Sequence, residues 1–493
     1  MKKDLIHILD HPRHHMKKKS KTKISQETLD ELKQLFPGCV SGKNINFEKL
    51  RKLLGDNIIL NSESYGLNWF GRDNTFDQIN ASVTAKLTPQ ADLSVNPSKT
   101  KNVLIDGDNL QVLKILRKNH KGKIKMIYID PPYNTGKDRL YQDNFEVDQD
   151  ILKTIEDSKD SAELSHSAWI SMIYARLSVA RELLADDGVI FVSIGIAESF
   201  NLRRVMNDIF GEDNLITEIV WNSKYTISND KKFISNQHEY IMAFAKNYKL
   251  ANFNLLPRTE KADKSYTNPD NDPRGPWKAT PLHAKSGKRN STYVFKKVKT
   301  YDGKMVKPIN WTAPDGRFPR YNKETLQRLE NDNRITCGVD GTFTPQVKSF
   351  LKEVKQGITP GSLWKYDDVG HTHFANEELA SILGKGIFDN PKPTKLIKRM
   401  IHLSTEPRNE DIILDFFAGS GTTAHAVLEQ NKEDGGNRIF ICVQDPWNIN
   451  RGKYKTISDI SRERITKVIK NIQKESNLNK FNMDLGFKVL KLF

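Results

Sequence analysis

The sequence predicts an α/β fold built on a parallel, doubly wound sheet. Three observations carry this expectation: short, nearly continuous apolar runs such as Val189-Ile190-Phe191-Val192-Ser193-Ile194, helical periodicity between the runs, and chemistry-bearing residues directly after two of them. Runs without polar alternation belong to strands covered on both faces, which crossover helices produce. Such sheets bind ligands beyond the carboxyl ends of their strands.

The elements follow in chain order. Residues 1–25 hold eight Lys or Arg against two Asp and read as a basic arm. Residues 25–54 show two short amphipathic helical patterns broken at Pro37-Gly38, so residues 1–60 make an arm and a small helical element. Residues 61–100 are polar, contain Pro89 and Pro97, and read as a linking segment. Val103-Leu104-Ile105-Asp106 is a strand, Gly107-Asp108-Asn109 a turn, and Leu110 to Leu116 a helix. Met126-Ile127-Tyr128-Ile129 is the next strand, followed by a helix from Ser167 to Ala185 that stops near Gly188, and by the strand Val189 to Ile194. Further strands are expected at Ile219 to Asn222 and Tyr240 to Ala245. Over residues 223–360 the periodicity dissolves into Pro, Gly, Asn, Lys and aromatic residues, which predicts an inserted, loop-rich domain. Residues 361–445 resume the α/β pattern with a helix at Lys395 to Leu403, a strand at Ile412 to Phe417, a helix at Thr422 to Gln430 and a strand at Ile439 to Val443. Residues 446–493 are expected to form a helical extension.

Composition narrows the function. The 493 residues carry 77 Lys or Arg against 61 Asp or Glu, a formal charge of +16 that favours a polyanionic partner. The excess is localised: residues 224–300 hold 16 basic and six acidic residues, and the remainder sits in the N-terminal arm. Cys39, Cys337 and Cys442 lie far apart without CxxC spacing, which argues against a disulfide framework or a cysteine metal site and fits a reducing, cytoplasmic setting. The longest apolar run, Gly188 to Ala197, is about half of what a bilayer span requires, so no membrane association is expected.

Asp130-Pro131-Pro132-Tyr133 follows a buried strand, the position of a site in an open sheet. Two prolines remove two N–H donors and stiffen the backbone, leaving carbonyl acceptors. Asp130 adds a carboxylate, and Tyr133 a flat face on which a base can stack. The set holds an exocyclic amine by acceptors alone and localises its lone pair for attack. Taken alone, the tetrapeptide also reads as a rigid turn capped by Asp.

The second motif is Asp415-Phe416-Phe417-Ala418-Gly419-Ser420-Gly421-Thr422, again between a strand and a helix. Small residues let a ligand approach the backbone, and the helix N-terminus favours an anionic group. Gly419 to Ala424 also satisfies the G-x-G-x-x-A form of a dinucleotide fold, so a nicotinamide oxidoreductase is an alternative. The next strand ends in Val443-Gln444-Asp445, where such a fold wants an acid for the ribose.

Together the two motifs resemble the amino-group DNA methyltransferases that use S-adenosylmethionine, in which D-P-P-Y holds the target amine and F-x-G-x-G, here Phe417 to Gly421, lies against the cofactor. The order of motifs resembles the circularly permuted β class, with a target-recognition domain between them. Several further stretches are similar to the modification subunits of type III restriction systems: Gly66 to Gly71, Ile105 to Leu110, Tyr128 to Gly136, His238-Glu239-Tyr240-Ile241, Asn268 to Trp277, and Phe388-Asp389-Asn390-Pro391-Lys392-Pro393. The chain is short for that group, and Gln444 stands where many methyltransferases place an acid.

The resemblance implies a Rossmann-like methyltransferase domain in two halves, 61–222 and 361–445, with residues 223–360 as the target-recognition insertion. It implies S-adenosylmethionine as cofactor, with contacts from Asp415, Phe417, Ala418, Gly419, Ser420, Gly421, Thr422, Gln444, Asp106 and Asp108. Catalysis falls to Asp130, Pro131, Pro132 and Tyr133 acting on an adenine flipped out of duplex DNA. Arg274, Trp277, Lys278, Lys285, Lys288 and Arg289 are the expected DNA contacts. A homodimer and, in a complete system, a helicase-nuclease subunit are the implied partners. Carbon-5 cytosine methylation needs a nucleophilic Cys, typically after Pro, and no Cys here follows Pro. A solitary amino-methyltransferase, acting on adenine or cytosine, and a non-catalytic DNA-binding scaffold remain alternatives.

Overall fold

The apolar runs become strands of a single ten-stranded sheet. This computed structural model describes residues 26–36, 39–41, 44–45, 49–50, 66–136, 161–229, 231–288, 292–475 and 483–493. The basic arm and Arg289 lie outside the described residues, as does most of the second N-terminal helical pattern; the first is helical over Gln26–Leu35. The strands of the sheet are β1 Leu87–Pro89, β2 Val103–Asp106, β3 Ile124–Ile129, β4 Leu184–Ile194, β5 Leu215–Trp221, β6 Glu239–Ala245, β7 Leu363–Trp364, β8 Ile412–Asp415, β9 Ile439–Gln444 and β10 Lys488–Leu492. Their spatial order is β7-β5-β6-β4-β3-β8-β9-β2-β10-β1.

The six strands from β4 to β10 in this order run parallel. Met126, Ile127, Tyr128 and Ile129 in β3 are each at most 2% exposed, as expected for a strand covered on both faces. The cover comes from helices α1 Arg72–Asn80, α2 Asn109–His120, α3 Ser161–Leu183, α4 Ser199–Phe210, α5 Thr372–Leu383, α6 Thr394–Ser404, α7 Thr422–Asp434 and α8 Ile457–Glu475. Helix α3 packs on α1, α2 and α4, while α7 packs on α6 and α8.

The structure departs from the sequence expectation at three places. The sheet is mixed, because β6 runs antiparallel to both β4 and β5. A hairpin of residues 222–238 joins β5 to β6 directly, and strands joined without a crossover must be antiparallel. The supposed linker over residues 61–100 contains α1 and β1. Trp69 orders it, donating to Ser171 Oγ at 2.8 Å with its ring 5.0 Å from that of Tyr174, and these partners come from α3. Finally, the C-terminal extension is helical only over α8. Beyond it the chain returns to the sheet as β10, parallel to β2, with Phe487 and Val489 buried.

Residues 253–362 form a separate compact unit, and residues 1–252 with 363–493 form the other. The smaller unit holds a five-stranded sheet, including Trp277–Pro281 and Gln346–Phe350, over a core that includes Phe295, Trp311 and Val347. Among the described residues no helix is long and apolar enough to cross a membrane.

The buried Phe487 tests the closing strand. Phe487→Ala should cost about 3–5 kcal/mol of stability, read from the urea midpoint at unchanged m-value.

Candidate active site at the carboxyl edge of the sheet

Parallel pairing of β3, β8, β9 and β2 gathers their carboxyl ends at one edge. There a cavity is lined by Asp130 and Pro132 after β3, by Asp415 to Ser420 with Thr422 and Thr423 after β8, and by Gln444, Asp445 and Trp447 after β9. Asn109, Tyr128, Arg176, Phe388, Lys392 and Ile457 complete much of the wall. The two motifs singled out in the sequence therefore face one space.

Asp130 is the centre of a charged cluster. Lys392 Nζ lies 2.7 Å from each of its carboxylate oxygens and 3.6 Å from Glu239 Oε2. The Tyr133 hydroxyl lies within donating distance of both acids, 3.0 Å from Asp130 Oδ1 and 2.9 Å from Glu239 Oε2. Its ring sits 4.9 Å from the Lys392 ammonium. Burial pushes the Asp130 carboxyl above its ordinary range, Lys392 pulls it back, and Glu239 adds to the upward push. Burial beside these acids also drives the Tyr133 hydroxyl well up, so it stays protonated.

The turn itself is held rigidly. The Trp169 indole donates to the Pro132 carbonyl at 2.7 Å. Asn134, in the left-handed region at φ 53°, is held by Glu198 and Ser165. Gly195 at the end of β4 has to be glycine, since a Cβ there would stand 2.9 Å from the Tyr133 ring.

Asp415 organises the glycine loop. Its carboxylate accepts from the Phe417 amide at 3.0 Å and from the Thr423 hydroxyl. Burial, with a smaller push from neighbouring Asp130, raises this carboxyl to about 7 against those two donors. Gly419 and Gly421 take φ of 53° and 80°, and Gly421 backs onto α8, where a Cβ would lie 3.3 Å from Ser461 Cα. The fully buried Arg464 of α8 supports the loop through Ser420 Oγ at 2.9 Å and Thr422 Oγ1 at 2.8 Å.

Gln444 spends its side chain within the protein, accepting from the Gly419 amide at 2.7 Å and donating to the Asp445 carbonyl at 3.1 Å. Asp445 lines the cavity beside it and accepts from the Asn109 amide at 2.8 Å. Burial lifts the Asp445 carboxyl to about 6 despite the opposing Arg176. Asp106 and Asp108, expected at the cofactor, are not among the residues that line the cavity. Asp108 is the N-cap of α2, accepting from the Gln111 amide at 2.8 Å, and Asp106 accepts from Ser458 Oγ at 3.1 Å.

In the smaller unit one expected DNA contact is buried and another is paired within the unit. Trp277 is 2% exposed, donates to Asp270 at 2.8 Å and lies beneath the Lys348 ammonium, so it is core. Arg274 is committed to Asp272 at 2.8 Å and Asp332 at 3.0 Å, with its guanidinium 4.3 Å from the Phe350 ring centroid. Lys278, Lys285 and Lys288 are exposed.

Residue-by-residue reading assigned no role to Lys392, Glu239, Arg176 or Arg464. The signal for the first two lay in the short stretches around His238-Glu239 and Pro391-Lys392-Pro393; Arg176 and Arg464 sit in helices and carried none.

Asp415 makes a measurable contribution to pH dependence. Its folded-state value near 7 exceeds the ordinary 3.8, so the folded state binds the proton more tightly and stability falls as pH rises through that window. Asp415→Asn, which keeps the shape, should remove a decline of up to about 4 kcal/mol between pH 4 and 7, measured by urea unfolding across that range.

The profile of a DNA methylase family matches residues 124–451. The chain is 36% identical over 459 residues to the Mod subunit of the type III restriction-modification enzyme StyLTI of Salmonella typhimurium, covering 89% of this chain and 68% of that one. It is 32% identical over 512 residues to the EcoPI Mod subunit of Escherichia phage P1, covering 94% and 77%. It is also 30% identical over 395 residues to the type II methyltransferase M.KpnI of Klebsiella pneumoniae, covering 76% and 88%. The matched span takes in Asp130, Glu239, Lys392 and Asp415 alike, and the chain belongs to this family of DNA methylases.

Proposed function

We propose that the protein transfers a methyl group from S-adenosylmethionine to the 6-amino group of adenine in duplex DNA, as the modification subunit of a type III restriction-modification system. The observation that carries this reading is the single cavity shared by the Asp130 cluster and the Asp415 loop. The similarity to two type III Mod subunits supports the system assignment. M.KpnI, covered over 88% of its length, favours a solitary methyltransferase as the second reading.

The residues present fit the cofactor. Three carboxylates and the rings of Phe388, Phe417 and Trp447 line the cavity, a set suited to a cationic ligand with a flat base. Asp415, Phe417, Ala418, Gly419, Ser420 and Thr422 would hold its amino-acid end, and Asp445 with Trp447 its nucleoside. When bound, the cofactor supplies an electrophilic methyl group on a sulfonium.

The chain's own residues do the rest by alignment and by accepting charge. Tyr133 presents a face to the flipped base. Asp130 accepts from the target amine through acceptor capacity that its contacts with Lys392 leave open, since each carboxylate oxygen can take more than one hydrogen bond. Glu239 and the Tyr133 ring help to hold the Lys392 ammonium beside it. Asp130, with Glu239 reached through the Tyr133 hydroxyl, then provides acceptors for the proton that the product amine loses.

The finer architecture belongs to the same reading. Asp130 precedes the glycine loop in the chain, the order of a circularly permuted methyltransferase domain, and the separate unit of residues 253–362, narrower than the expected 223–360 because β6 belongs to the main sheet, serves as the target-recognition region. The type III assignment brings with it a homodimer and a helicase-nuclease partner.

Sequencing DNA with base-modification detection, from cells with and without the intact gene, should reveal one methyladenine-bearing site that disappears with the gene; no such site would refute the reading. Asp130→Ala should abolish transfer while cofactor binding survives in calorimetry. Lys392→Met removes the main opposition to the burial of Asp130, so its carboxyl rises and the acid limb of the pH-rate profile should move to higher pH, with Lys392→Arg close to wild type. Neutralising the exposed pair Lys285 and Lys288 to Gln should weaken DNA binding and reduce the salt slope by about 2, without altering cofactor affinity.

A further inference from the structure

The hairpin between β5 and β6 takes no part in the chemistry above, yet both its feet stand in the active site. At one foot the Trp221 ring centroid lies 6.0 Å from Lys392 Nζ, and at the other Glu239 pairs with Tyr133. Because β5 and β4 both run antiparallel to β6, the hairpin leaves the sheet at the same edge as Asp130. Its stem is closed by hydrogen bonds: the Asn222 amide group donates to the carbonyls of Lys224 at 2.9 Å and Gln237 at 3.0 Å, and the Ser228 amide donates to Ser235 Oγ at 2.9 Å.

Beyond that stem, Phe233 and Ile234 are 86% and 88% exposed, the most exposed large hydrophobic side chains among the described residues. Two adjacent large apolar groups held in water mark a contact surface. Lys231 and Lys232 precede them, and the Lys232 ammonium lies 5.1 Å from the Phe233 ring centroid. Across residues 224–237 the sequence has three lysines and one aspartate. Positive charge selects a polyanion, whereas the apolar tip requires an apolar space within it. In duplex DNA that space lies between stacked bases. Ile234 is five residues from Glu239, so at about 3.3–3.6 Å per residue it stays within roughly 18 Å of the catalytic cluster.

We propose that this hairpin is a wedge: Phe233 and Ile234 enter the base stack where the target nucleotide leaves it, while Lys231 and Lys232 rest on flanking phosphates. Extrusion strips the neighbouring bases of a stacking partner, and an apolar side chain filling the gap restores contact and lowers the cost of holding the base outside. Ile196 and Phe200, 66% and 74% exposed just after β4, extend the apolar surface along the same edge. The inference rests on the DNA methyltransferase reading.

The test uses the full chain and synthetic duplexes carrying the site found by base-modification sequencing. The double variant Phe233→Ala, Ile234→Ala should methylate a matched duplex about tenfold more slowly, with a reduced 2-aminopurine signal at the target position. Opposite an abasic site, where extrusion is easier, it should return to within about twofold of wild type. Phe233→Leu should retain most of the matched-duplex rate. Lys231→Gln with Lys232→Gln should weaken binding to both duplexes alike. Equal rates for the double variant and wild type on matched DNA would overturn the wedge, as would an equal loss on both duplexes. An active wild type beside an unaffected variant rejects the wedge alone; a wild type that methylates no DNA rejects the underlying reading and the wedge with it.

Discussion

The active edge depends on the parallel pairing of β3 with β8, in which Met126 stands beside Ile413 and Ile127 beside Leu414. That register brings Asp130 and Asp415, far apart in the chain, to adjacent strand ends in one cavity. It also places Asp130 where its charge disfavours ionisation of the buried Asp415, and burial raises the carboxyls of both. Strands joined in the opposite sense would put these acids at opposite edges of the sheet, and neither motif would form a site.

Burying acids at a strand edge costs solvation, and the protein offsets it in two ways. Around Asp415 the donors are neutral, the Phe417 amide and the Thr423 hydroxyl, and the carboxyl stays high. Around Asp130 the donor is a cation, Lys392, in a bidentate contact that favours the charged form. One acid is thereby suited to holding a loop in shape and the other to accepting from an amine. Lys392 also links the halves of the domain, since it comes from the segment before α6 whereas Asp130 follows β3. The glycine at position 195 lets the Tyr133 ring pack close to the backbone beside this pair.

The framework was largely legible. Strands such as Met126 to Ile129 and Val189 to Ile194 are unbroken apolar runs, and a run buried on both faces announces itself without reference to partners. The segments misread were those whose order comes from a few distant contacts. Residues 66–80 are anchored by Trp69 and Phe76 on Tyr174, too sparse a pattern to show helical period. β10 carries Lys488 and Lys491 among apolar residues and falls within the expected helical extension, whereas pairing with β2 makes it a strand. In the smaller unit, Trp277 looked like a nucleic-acid contact because aromatic and basic residues are close in sequence, whereas Asp270 and Lys348 bury it.

By itself the sequence determined the two motifs, because an acceptor-only tetrapeptide and a small-residue turn after a strand are local arrangements, and the reaction class followed from the resemblance that their combination carries. Only the tertiary structure decided which other side chains act with them. It brought Lys392 and Glu239 to Asp130, tied the Gln444 side chain to the loop backbone with Asp445 beside it at the cavity, and buried Trp277. The physical reason is that charge pairing and burial are set by distance in space, and strand register makes neighbours of residues that sequence separation keeps apart.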